Sequence, residues 1–91
     1  MLVIDENRTT AIVIRNDGFS VTLVPLKTGK LSARSIPFTQ FRQNWYETSY
    51  PLNKALVTFQ RHVARRGASG AVIKGLCRLQ NRDRWVVASL F

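Results

Sequence analysis

Residues 51–66 carry two stripes of opposite character along one stretch of chain, and few folds accommodate both. Leu52, Leu56, Phe59 and Val63 recur at i, i+4, i+7 and i+11, the spacing that lines up one face of a helix with about 3.6 residues per turn. Lys54, Thr58, Arg61 and Arg65 repeat the same intervals two positions later, about 200° around the axis. The stretch is therefore expected to be an amphipathic helix over 51–66, burying its apolar side and presenting a basic one. Pro51 suits the first turn, where a missing amide proton is no loss, and Gly67 suits the position just past the end.

Such a helix needs an apolar surface to cover, and the N-terminal half supplies one. Residues 9–15 and 19–26 are rich in β-branched side chains and flank Asn16, Asp17 and Gly18, a turn that accommodates the positive φ of a tight hairpin. In the second strand Phe19, Val21 and Leu23 alternate with Ser20, Thr22 and Val24, which predicts one buried and one wetter face. Pro25 limits the pairing, because it lacks a backbone donor. Residues 2–4 either add a short strand or fray. Residues 31–38 read as a third strand ended by Pro37. Thr39 is expected to cap a brief helix reaching Tyr46, with Phe41 and Trp45 on its inner face, and 47–51 form a connection.

Beyond Gly67 two readings stand. Val72, Ile73, Leu76 and Leu79 fit a helix capped by Ser69, with Lys74, Arg78 and Arg82 outside. Alternatively Ala71, Ile73, Cys77 and Leu79 alternate as a strand that turns at Asn81, Arg82 and Asp83. Gly75 weakens either element. The helix is preferred, and 84–91 is a strand in both versions. The expected fold is one α+β domain over 1–91: a small antiparallel sheet, made of the N-terminal β-hairpin plus a C-terminal strand, packed against the amphipathic helix 51–66. Its expected core is Ile12, Ile14, Val21, Leu23, Phe41, Trp45, Leu52, Leu56, Phe59, Val63, Ile73, Leu76 and Val87.

Charge narrows the partners. The 91 residues carry 14 Lys and Arg against 5 Asp and Glu, for a net +9. Residues 1–50 hold six basic and four acidic groups, whereas 51–91 hold eight basic and one acidic, so the excess is concentrated in the second half. A localised cationic surface attracts polyanions, acidic proteins or anionic membrane. An apolar content of 45% supports a packed core rather than disorder. No apolar run approaches the ~20 residues of a membrane span, and no basic segment leads into an apolar one at the N-terminus. The basic helix has too narrow an apolar stripe to serve both a membrane and its own core. Cys77 is the only cysteine, which excludes an intrachain disulfide and a cysteine-based metal cage and makes a reducing cytoplasm the expected setting.

The favoured reading is nucleic-acid binding, DNA before RNA, through Lys54, Arg61 and Arg65, extended by Arg66, Lys74, Arg78, Arg82 and Arg84. Arginine predominates, which suits bidentate contacts to phosphate or guanine. Tyr46 and Tyr50, just before the basic helix, are candidate surface rings for stacking on unpaired bases. The spacing of Gly67, Ile73 and Leu76 resembles a helix-turn-helix over 52–80, although Arg66, His62 and Val63 depart from its usual pattern. That resemblance implies that a second helix from Ser69 enters the major groove, with Ser69, Lys74 and Arg78 nearest the DNA. A small phage- or plasmid-type regulator, of transcription or of a mobile element, would fit. The alternative is an interaction or inhibitor protein whose basic face docks on an acidic protein. Edge strands of a sheet this small allow a homodimer. No catalytic set, metal site or cofactor motif is found: His62 is the single histidine, and a metal-independent ribonuclease would have to be built around it.

Overall fold

A computed structural model describes the backbone of residues 2–5, 9–26 and 29–90 and the side chains of residues 9–26 and 29–80. The two β-branched runs form the expected hairpin, β2 (Thr10–Asn16) and β3 (Ser20–Pro25). Side chains hold its turn. Asn16 Oδ1 accepts from the Gly18 amide at 3.0 Å, and Asp17 Oδ1 accepts from the amides of Phe19 and Ser20 at 2.9 and 2.8 Å. With β1 (Leu2–Asp5), β4 (Arg34–Pro37) and β5 (Trp45–Glu47), the described residues make one antiparallel sheet in the order β4-β3-β2-β1-β5. Three helices accompany it among those residues: α1 (Phe38–Asn44), α2 (Leu52–Arg66) and α3 (Gly70–Leu90). The fold is α+β.

Helices cover both sides of the sheet. Ile12, Ile14 and Val24 cluster with Ala55, Leu56 and Phe59 of α2 and with Val72 and Leu76 of α3. Ala11, Val13, Val21, Leu23 and Ile36 form a second cluster with Phe41 of α1, and Trp45 packs against it. The register explains the division: Ile12 lies opposite Val24 and Val13 opposite Leu23, so successive pairs point to opposite sides. The expected wetter face is therefore absent from the centre of the hairpin, where Val24 is as buried as Leu23. Phe19, by contrast, sits in the turn and is 88% exposed.

Helix α2 is close to the expectation. Ala55, Leu56 and Phe59 are buried, and Leu52 and Val63 are half-buried against the same cluster. Gly67 ends it with φ 78° and ψ 168°, a region open essentially to glycine alone, and its amide donates to the Val63 carbonyl at 2.8 Å. The connection to α3 is pinned from below. The Leu31 amide donates to the Gly67 carbonyl, and the Ser69 amide to the Leu31 carbonyl, both at 3.0 Å. Ser69 then caps α3, its Oγ accepting from the Val72 amide at 3.4 Å.

Other expectations are corrected. Residues 84–90 do not return as a strand, since α3 runs through Leu90, and residue 91 of that expectation lies outside the described residues. The place beside β2 is taken by β1, whose Leu2, Val3 and Ile4 pair with Ile12, Ala11 and Thr10. After Gly75 no glycine or proline interrupts a helix already capped at Ser69. The third strand shortens to β4, and Leu31 forms an isolated parallel bridge with Ala68 instead. Thr39 does not cap α1, which starts behind Pro37 without a side-chain cap and stops at Asn44, before β5.

Ile73, expected in the core, is 47% exposed, and Val72 is fully buried in its stead. Gly75 accounts for the phase. A Cβ added there would lie 2.6 Å from Ile14 Cδ1 and 2.9 Å from Ile14 Cβ, so α3 approaches β2 as closely as it does only where a side chain is missing. With Gly75 turned to the sheet, Val72, Leu76 and Leu79 follow it inward at helical spacing and Ile73 is carried out. The two helices of the helix-turn-helix reading are present with a short connection, but not the inward packing of Ile73 that the motif requires. The core expectation for Val87 falls outside the described side chains. Among the described residues, no helix is long and apolar enough to cross a membrane.

Candidate nucleic-acid interface

The buried stripe of α2 fixes where its cations go. With Leu56 and Phe59 turned to the sheet, Lys54, Arg61 and Arg65 are exposed on the opposite face, spread along about 16 Å of helix axis. Thr58 sits among them, and its Oγ1 donates to the Lys54 carbonyl at 3.1 Å. Asp17 and Glu47 are the acidic residues with described side chains, one in the β2–β3 turn and the other on β5. Among the described residues none of the three cations is ion-paired.

The remaining candidates do not all join this row. Arg66 is exposed at the helix end and is engaged in an interaction of its own. Ser69 is half-buried, its hydroxyl used as the α3 cap. Lys74 and Arg78 are exposed but belong to a second row on α3. Gln60 Nε2 donates to Gln80 Oε1 at 3.0 Å, which marks the flanks along which the helices meet. Lys74 and Arg78 lie more than about 100° around α3 from Gln80, with the exposed Ile73 and Cys77 between. Arg82 and Arg84 lie in α3 beyond the described side chains.

Both tyrosines are at the surface, Tyr46 58% and Tyr50 48% exposed. Trp45 packs in the α1-side cluster, so alternation along β5 turns Tyr46 to the side of the sheet that carries α2. Tyr46 pairs with Ile4, and Ile4 with Thr10, which places Tyr46 two strands, about 10 Å, from Thr10 in one transverse row.

Thr10 leads to a feature that sequence reasoning missed. Together with Leu26, Tyr50, Ala55, Thr58 and Phe59 it lines an open pocket of about 170 Å³. Ala55 and Phe59 are buried and form its floor, while Tyr50, Thr10, Leu26 and Thr58 are partly or well exposed and form its rim. Three separate stretches of chain meet here, joined by the Leu26 amide donating to the Thr10 carbonyl at 2.7 Å, and no local spacing advertises such a meeting. His62 is half-buried on α2, its Nδ1 enclosed without a hydrogen-bond partner among the described residues. No three metal-binding side chains come together among those residues. No protein-family model, curated protein or solved structure matches the chain significantly.

Proposed function

We propose that the protein binds nucleic acid through the outer face of α2, with Lys54, Arg61 and Arg65 as the phosphate-contacting residues. The observation that carries this reading is an exposed row of cations with no carboxylate beside it among the described residues. Unpaired cations held on a packed helix neutralise phosphates and release the counterions condensed around them. Arginine adds a planar fork suited to two phosphate oxygens at once. The row stands on a helix whose other face is committed to the core, so its positions are set before any ligand arrives.

Fluorescence anisotropy with a labelled oligonucleotide at several salt concentrations tests the proposal. Three phosphate contacts give a slope of log affinity against log salt of about −2 to −3. The double variant Arg61→Glu/Arg65→Glu is expected to lose at least roughly tenfold in affinity. Its thermal stability stays within about 0.5 kcal/mol of the parent, because exposed charges contribute little to folding. A folded double variant that binds as the parent does removes α2 as the contact face.

A further inference from the structure

We infer that the pocket beneath Tyr50 receives one unpaired base of a single-stranded polynucleotide whose phosphates lie on the α2 cations. This inference rests on the reading of α2 given above and names the form of nucleic acid it takes. Position favours this occupant. Thr58 is a rim residue, and Lys54 and Arg61 stand four residues before and three after it on the same helix, the separations that make helix-surface neighbours. A group seated in the pocket therefore has an exposed cation on either side of the rim. An apolar slot with cations at its mouth is complementary to a nucleotide, whose flat base and anionic backbone must be bound together but by unlike surfaces.

Size and lining favour a single base as well. A cavity of about 150 Å³ walled by aliphatic and aromatic side chains accepts a single ring such as benzene, and drug-sized ligands need about 300 Å³ or more. The pocket, at about 170 Å³ and open to solvent on one side, has room for one heterocycle. Its lining surface is almost entirely apolar, contributed by Ala55 and Phe59 at the floor and by Thr10, Leu26, Tyr50 and Thr58 around the mouth. Thr58 already donates its proton to the Lys54 carbonyl, which leaves its oxygen free to accept from a base edge. Tyr50 is about half exposed and lines the entrance, and Tyr46 is a second exposed ring on the same side of the sheet. A base inside a duplex reaches none of these groups without leaving its stack.

The experiment compares three labelled probes of equal length on the full chain: an oligo-thymidine strand, an abasic strand with the same backbone, and a duplex. The thymidine strand is expected to bind on the order of tenfold more tightly than the abasic one, the size of effect that stacking of one base gives. Tyr50→Ala should bring the thymidine strand down to the abasic level and leave abasic binding unchanged, whereas Tyr50→Phe, which keeps the ring, should retain most of the difference. Equal affinity of the parent for thymidine and abasic strands overturns the pocket while leaving the cationic row standing. So does tighter binding of the duplex than of the thymidine strand. Failure of all three probes to bind overturns the reading of α2 itself.

Discussion

Helices α2 and α3 lie on the same side of one sheet, yet they are held there by different means and leave different surfaces outside. Helix α2 is seated by side chains it contributes, Leu56 and Phe59 above all, and its outer face is cationic. Helix α3 is seated partly by a side chain it lacks. Gly75 opens the space into which Ile14 fits, and the outer face carries exposed Ile73 and Cys77 beside Lys74 and Arg78. A stripe of apolar residues can be read from spacing, but a missing side chain acquires meaning only when its neighbour across the interface is known.

The largest effect should come from removing that difference. Gly75→Ala gives α3 the side chain it lacks, with helix propensity improved by up to about 1 kcal/mol. Against this gain, the new Cβ would fall 2.9 Å from Ile14 Cβ, an atom fixed to the β2 backbone that no rotamer change can move. Overpacking of this kind typically costs about 1–3 kcal/mol, so the strain wins and the melting temperature falls. Ile14→Ala should be destabilising alone and distinctly less so in the Gly75→Ala background, a coupling that a double-mutant cycle in denaturant measures. Additive losses would mean that α3 does not rest on Ile14.

A smaller effect tests the outer surface. Ile73→Lys replaces an exposed apolar side chain by a cation and should change stability by no more than about 0.5 kcal/mol. Under the helix-turn-helix arrangement the same substitution would bury a charge between the helices and unfold the protein. A chemical denaturation curve separates the two outcomes. A retained midpoint supports the α3 phase set by Gly75, and a collapse restores Ile73 to the core.

The same contrast sets how much was legible in advance. The α2 stripe, its Gly67 end, the hairpin around Asn16–Gly18 and the cationic row all depend on residues within a few positions of one another, and local spacing states them. What escaped depends on distant partners. Whether 84–91 joins the sheet turned on β1 occupying the place beside β2, and the choice between Val72 and Ile73 turned on Ile14, far away in the chain. Val24 looked half-wet because nothing in β3 reveals that helices cover both sides. Of the candidate site, periodicity identified Lys54, Arg61 and Arg65 as one row. It could not show that Lys74 and Arg78 form another, nor that Thr10, Leu26 and Tyr50 converge on Thr58.

The smallest effect approaches the α3 contact from the sheet. Ile14 is followed at once by Arg15, Asn16 and the turn, and the strand register shifts between Val13 and Arg15, so the seat of Gly75 and the turn are neighbours along one strand. The Asp17 carboxyl there is held below its ordinary value of 3.8, chiefly by the amide of Ser20 and then by that of Phe19. A carboxyl of lower pKa in the folded chain than in the unfolded one contributes stability that is fully present above its unfolded pKa. That contribution fades as the pH falls through the folded value. The melting-temperature advantage of the parent over Asp17→Asn should therefore be constant at neutral pH and shrink on acidification below about pH 4. Hydrogen exchange at the Phe19 and Ser20 amides should quicken over the same range, relative to the intrinsic rate. If the turn steadies the seat of α3, protection of the α3 amides near Gly75 declines with it while that of α2 holds. Equal loss in both helices would mean that they share one support and that the difference between them ends at their outer surfaces.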